Sequence, residues 1–134
     1  MKSHFMDDLH DDAIDLLLEH DARAPTPECL VAIRTLGGAV ARVAPGDSAF
    51  PHRSHTFNVS IDSGWTDPAL DARGIGWARH AWDALQPFSS GGVYINFSGL
   101  ADEADVLRDA VYGDSVQRLA AVRNAYDPDG LFAA

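Results

Sequence analysis

Tyr94 and Asn96 stand two residues apart in a run, residues 92–98, in which they alternate with Val93, Ile95 and Phe97. On a strand this spacing sends both polar side chains to one face, roughly 7 Å apart at about 3.3 Å per residue. A phenol and an amide can then address one ligand side by side, or satisfy each other within the domain. If Tyr94 works as a base, Arg53 is the cation the sequence offers to assist it. The histidine pair His52 and His55 invites a metal reading, but on an extended segment a spacing of three points the rings to opposite faces. Arg53 between them adds a repelling charge, so no metal site is expected there. His80 reads as a surface or helix-packing residue. The Gly-x-Ser-x-Gly pattern of a nucleophile elbow is absent from the sequence.

The chain has 134 residues, 46% hydrophobic and 22% charged, which suits one soluble domain able to bury roughly two-thirds of its unfolded surface. Its net charge of -10 argues against nucleic acid, whose phosphates are held by Lys and Arg, and against an anionic membrane surface. Cys29 is the only cysteine, which removes an internal disulfide and a Cys-rich zinc site. Asp7 and Asp8 fall where a signal peptide needs an apolar run, and no stretch approaches the roughly 20 apolar residues of a membrane span. A soluble, cytoplasmic protein is expected.

The elements that must position Tyr94 follow from periodicity. Met6, Leu9, Ala13, Leu16 and Leu17 recur at helical spacing opposite a row of aspartates, predicting an amphipathic helix over residues 5–20 with a solvated acidic face. Residues 29–36 form an apolar run bounded by Pro27 and Gly37-Gly38, a strand that residues 39–43 extend past a glycine bend. Residues 56–62 alternate Phe57, Val59 and Ile61 with Asn58, Ser60 and Asp62, the clearest strand signature in the chain. Thr66-Asp67-Pro68 starts a helix running to Leu85, with Ile75, Ala78, Trp82 and Leu85 as its apolar stripe and Gly74 and Gly76 marking a kink. After the strand at 92–98, helices are expected over 102–111 and 115–126, closed by an Asp127-Pro128-Asp129-Gly130 turn. The fold class is α+β: a mostly antiparallel sheet of about 3–5 strands with helices on one side.

Two motifs, Gly91-Gly92-Val93-Tyr94-Ile95-Asn96-Phe97 and Tyr126-Asp127-Pro128-Asp129-Gly130-Leu131-Phe132, resemble the tail of a flavin-linked oxidase of the berberine bridge enzyme type. Leu36-Gly37-Gly38-Ala39-Val40-Ala41-Arg42-Val43, Ala49-Phe50-Pro51-His52-Arg53, Trp77-Ala78-Arg79 and Pro87-Phe88-Ser89-Ser90-Gly91-Gly92 follow the pattern of bacterial members in the same order. The resemblance therefore covers nearly the whole chain. It implies a substrate-domain-like part, residues 1–88, and a C-terminal segment, residues 89–134, that returns to touch the flavin domain. In that family the tyrosine matching Tyr94 serves as, or assists, the base that takes a proton from the substrate while hydride passes to flavin. The asparagine matching Asn96 lies against the cofactor. Tyr94 is accordingly the expected catalytic residue, Tyr94 and Asn96 the expected cofactor contacts, and Phe50, His52 and Arg53 the expected substrate contacts.

The sequence also departs from the family pattern. The family's flavin-binding domain, with its pyrophosphate cradle and its histidine tether, has no counterpart here, and Cys29 matches no second tether. FAD is the family's cofactor, yet this chain alone is expected not to bind it tightly. The expectation is a truncated, stand-alone substrate-binding portion of such an oxidoreductase, meeting a small-molecule ligand and either a second copy in a homodimer or a separate flavin-domain chain. The alternatives are a cofactor-free binding protein, or a cyclase or proton-transfer enzyme of secondary metabolism, and an inactive relic.

Overall fold

The protein is described by a computed structural model covering residues 1–44, 46–97 and 104–132. The chain opens with a strand, β1 (Lys2–Met6), followed by helix α1 (Asp11–Ala22), β2 (Leu30–Thr35) and β3 (Phe57–Asp62). A short 3-10 turn at Pro68–Leu70 leads into α2 (Asp71–Leu85), and α3 (Ala104–Tyr112) and α4 (Val116–Tyr126) follow. The three strands form one antiparallel sheet in the order β1-β3-β2, so the α+β expectation holds.

The expected first helix is corrected at its start. The helical spacing makes Met6 its first apolar rung, but residues 2–6 pair with β3 in the register Lys2↔Ile61 to Met6↔Phe57. That partner lies more than fifty residues away, and ladder bonds to it outweigh a local helical pattern that is interrupted by Asp7 and Asp8. The helix begins after His10, with Asp11 and Asp12 in the first turn, where negative charge complements the helix dipole. Residues 39–43 do not extend β2. They form turns, because Gly38 takes φ +49° and bends the chain away from the sheet.

The core lies between the sheet and the first two helices. Met6, Val59 and Ile61 from one face meet Leu17 of α1 and Trp77, Ala78, Ala81 and Leu85 of α2, with Cys29 closing one end. The buried side of α2 is thus Trp77-Ala78-Ala81-Leu85, while Ile75 and Trp82 are half-buried at its margins, a correction of the expected stripe by about one position. Small residues at 78 and 81 let the helix approach closely. Asp67 caps the turn ahead of it by accepting from the Ala69 amide at 2.9 Å. α2 runs unbroken through Gly74, where a Cβ would run into the Trp65 ring, which lies against the helix and donates to Asp71. Two indoles tie the layers together: Trp77 donates to the His20 carbonyl at 2.8 Å and Trp82 to the Ser3 carbonyl at 3.2 Å.

The other face of the sheet carries Ser3, Phe5, Asn58, Ser60 and Arg34, aligned by the pairs Phe5↔Asn58 and Arg34↔Asn58. Ser3, Asn58 and Ser60 are buried although they are polar. They are covered by the segment after α2. No described helix is long and apolar enough to cross a membrane.

Candidate functional site

The segment containing Tyr94 is not a strand. Gly91 and Gly92 take φ +83° and +80°, the Val93 amide bonds the Ala110 carbonyl at 2.9 Å, and residues Ile95–Phe97 close a 3-10 turn in which the Phe97 amide reaches the Tyr94 carbonyl at 2.8 Å. Ser98, the last residue of the expected strand, lies outside the described residues, as do Asp102 and Glu103 at the start of the expected helix. The apolar alternation was misleading: Val93 is buried against α3 while Ile95 is 45% exposed. The turn nevertheless achieves what the strand was expected to do. Asn96 Nδ2 donates to the Tyr94 hydroxyl at 2.9 Å.

Tyr94 and Asn96 line a cavity of about 500 Å³ on the polar face of the sheet. Phe5, Arg34 and Asn58 from the three strands contribute to it, the loop between β2 and β3 adds Leu36, Val40, Phe50 and Arg53, and Val111 and Tyr112 come from the end of α3. Aromatic edges shape the wall around the phenol. The Tyr94 ring meets Phe50 edge-on at 5.9 Å between centroids and Phe97 at 5.0 Å. The Arg53 guanidinium lies 5.3 Å from the Phe50 centroid and donates to the Val40 carbonyl at 3.1 Å and the Ser48 hydroxyl at 2.8 Å, which ties the long loop together. Hollows of this kind, apolar with a few convergent polar groups, are the usual form of a small-molecule site.

Of the five expected site residues, Tyr94, Asn96, Phe50 and Arg53 share this cavity; His52 does not line it. None of Phe50, His52 and Arg53 lies in the sheet, because residues 50–55 have no regular strand. His52 is buried behind the wall, its Nε2 donating to the carbonyls of Ala110 at 2.9 Å and Val111 at 3.1 Å, its ring stacked on Phe5 at 4.4 Å. It also sits where a side chain on Gly92 would have to go. Burial pushes the His52 pKa below its ordinary value of 6.5, against the two carbonyl bonds that favour the charged ring. His52 therefore joins α3 to the sheet and holds up the Tyr94 turn. The His52 and His55 rings do not oppose each other, as a strand period would require: they stack 5.7 Å apart, since the period of two has no force in a loop. His55 pairs with Asp7 at 2.8 Å. Among the described residues no group of three or more His, Cys, Asp or Glu side chains could hold a metal ion.

Sequence reasoning missed Arg34, Phe5, Asn58 and Tyr112. Two of these had a signal. Arg34 is the one charged residue in the apolar run 29–36, and Asn58 alternates with core-facing Val59 on a strand whose other side is core. A flavin ring or another flat aromatic molecule is suited by a wall of phenol, amide and aromatic edges. The dinucleotide's pyrophosphate is a different matter: among the described residues no glycine-rich loop opens a helix, so the parts present fit the ring end of FAD and not its phosphates.

Residues 93–134, which begin at the cavity wall, match the family model described as "Berberine and berberine like". The chain is 31% identical over 115 residues to an uncharacterized FAD-linked oxidoreductase, YgaK, of Bacillus subtilis (strain 168), covering 86% of this chain and 24% of that protein. It is 28% identical over 98 residues to a carbohydrate oxidase of Microdochium nivale, covering 69% of this chain and 20% of the other. Among solved structures, GilR in complex with pregilvocarcin aligns over 96% of this chain and 30% of its own, with 28% identity and a TM-score of 0.81. A variant of berberine bridge enzyme shares the fold over 99% of this chain and 31% of its own, with a TM-score of 0.85 at 18% identity. The chain spans about a quarter of the length of the curated relatives it matches. It thus carries a berberine-like segment on a fold shared with the FAD-linked oxidoreductases of the berberine bridge enzyme type, and its homologues are proteins of that kind.

Proposed function

We propose that this chain forms the substrate-facing part of a FAD-linked oxidoreductase of the berberine bridge enzyme type, with the cavity around Tyr94 as its ligand site. The observation that supports this most is the Tyr94-Asn96 pair, which belongs to the segment that matches the family model and shares a cavity wall with Phe50 and Arg53. In such enzymes the flavin supplies the hydride acceptor. The part assigned to this chain is to bind the substrate body against Phe50 and the Tyr94 ring, and to move a proton at the Tyr94 hydroxyl, whose orientation the Asn96 amide holds. With no phosphate cradle among the described residues, the chain by itself binds FAD weakly and does no redox chemistry. A nanomolar dissociation constant needs about 12 kcal/mol, more than one wall of contacts on a ring supplies. Fluorescence quenching of FAD by the pure chain tests this: micromolar or weaker binding is expected, and nanomolar binding would overturn it.

A second reading uses the same cavity, whose mostly apolar wall carries the Tyr94 hydroxyl and two arginines and so suits a small molecule in its own right. The cofactor-free alternative is then a binding protein, or a proton-transfer enzyme working through Tyr94. On either reading the partner is a second copy or a separate flavin-bearing chain, covering exposed apolar groups at the edge of β2, Leu30 and Ile33, and of α4 and the tail, Val122, Tyr126, Leu131 and Phe132. Tyr94→Phe keeps the ring and removes the oxygen. Loss of ligand binding or turnover in a folded Tyr94→Phe protein is the expected result, and unchanged behaviour would leave the tyrosine a packing residue only.

A further inference from the structure

The protein has 20 acidic and 10 basic residues, yet the described lining of the Tyr94 cavity contains two arginines, Arg34 and Arg53, and no aspartate or glutamate. In a chain with a net charge of -10 this is a local inversion of sign. Arg53 is half-buried and Arg34 is exposed at the cavity, so the charge of Arg53 is the more costly to leave unpaired, and the partners of both guanidiniums matter. Arg34 Nη1 donates to the Ser60 hydroxyl at 2.7 Å, and its charge lies 4.8 Å from the Phe97 centroid. Arg53 donates to a carbonyl and a hydroxyl, and its charge lies on Phe50. All of these acceptors are neutral. The nearest carboxylate in this network, Asp62, is reached only through Ser60, at 3.3 Å from that hydroxyl. Arg53 Nε is buried and has no hydrogen-bond partner.

A chain of ring contacts links both charges to the phenol. Arg34 lies on Phe97, Phe97 on one edge of Tyr94, Tyr94 on Phe50, and Phe50 under Arg53. A guanidinium presents a planar fork that matches the two oxygens of a carboxylate, and the bonds of Arg34 and Arg53 to neutral oxygens leave both charges without a carboxylate partner. We propose that the cavity selects a molecule with an apolar aromatic body and one carboxylate, the body lying against Phe50 and Tyr94 and the carboxylate taken by Arg53 with Arg34 as the second cation. This rests on the cavity being the ligand site, as argued above. The arrangement holds the aromatic body against the Tyr94 hydroxyl while the anionic end is fixed at the cavity margin.

Isothermal titration of the full chain with 2-naphthoate and with its neutral isostere 2-naphthamide tests the proposal. The carboxylate should bind about tenfold or more tightly than the amide, and its affinity alone should fall as salt is raised, because screening acts on charges. Arg34→Gln and Arg53→Gln should each reduce that preference and together abolish it, while Arg34→Lys and Arg53→Lys retain part of it. Should the glutamine variants fail to fold, the salt dependence and the lysine variants decide the matter. Equal binding of the two probes, or a carboxylate affinity indifferent to salt, would overturn the anion preference while leaving the cavity as a site. If neither probe bound at millimolar concentration, the site itself and this proposal would fall together.

Discussion

Asn96 donates its side-chain amide to the Tyr94 hydroxyl at 2.9 Å across a single turn of chain. A phenol oxygen accepts as well as donates, so taking the amide leaves the Tyr94 proton for a ligand and fixes the direction in which it points. Asn96 is on this view a positioning residue. Asn96→Ala should weaken binding of an aromatic ligand nearly as much as Tyr94→Phe, and the double variant should cost little more than either. The coupling expected is about 0.5–1.5 kcal/mol, the worth of one hydrogen bond. Strictly additive losses in calorimetry would mean that Asn96 meets the ligand on its own.

Gly92 sits under the Tyr94 turn at φ +80°, with the His52 ring where a side chain would project. Gly92→Ala meets both backbone strain and overpacking, and should destabilise the fold by more than about 2 kcal/mol. Gly76 in α2 makes the contrast, because a Cβ there has open space. Gly76→Ala should stabilise by up to about 1 kcal/mol through helix propensity. Denaturant melts of the two variants check the pair; equal effects would show that His52 yields easily.

Acid should loosen the structure through its buried histidines. Burial lowers the pKa of His52 and of His4, which donates to the Trp82 carbonyl and stacks on that indole. The unfolded chain then binds more protons than the folded one as pH drops below about 6.5, so stability is full above that value and declines below it. Asp7, held below its ordinary 3.8 mainly by the hydrogen bond to His55, adds a loss only in stronger acid, as pH falls below that value. Acid also relieves the repulsion within a chain of net charge -10, so the comparison must be made between proteins. Thermal melts at pH 7.5 and 5 should show a smaller decline for His52→Gln than for the parent; parallel declines would discount His52.

The outer edge of β2 presents Leu30 and Ile33, 44% and 48% exposed, with no proline or lysine to block pairing. Sedimentation at micromolar concentration should show a dimer that Ile33→Lys disrupts. A clean monomer for the parent chain would remove this expectation.

The residues that were legible in sequence are those whose signals are local. Phe57, Val59 and Ile61 alternate as a strand should, Asp67 caps as its type suggests, and the helix before Tyr126 lies where its boundaries predicted. What could not be read depends on distant partners. Residues 2–6 become a strand only because β3 stands beside them, and Arg34 becomes a cavity residue only because the Tyr94 turn folds over that face. The pair Tyr94 and Asn96 was found for an incomplete reason: an alternating pattern suggested a strand, whereas two left-handed glycines produce a turn. The family resemblance puts His52 with Phe50 and Arg53 as substrate contacts, whereas the loop turns its ring away from the cavity onto the Ala110 carbonyl.

Amide chemical-shift mapping of the full chain with 2-naphthoate locates the ligand site, which the geometry puts in the cavity beside Tyr94. Perturbations should concentrate at Arg34, Phe50, Arg53, Tyr94, Ile95 and Asn96, with α1 silent. Perturbations centred instead on the groove between α3 and α4, or spread evenly over the surface, would contradict that placement.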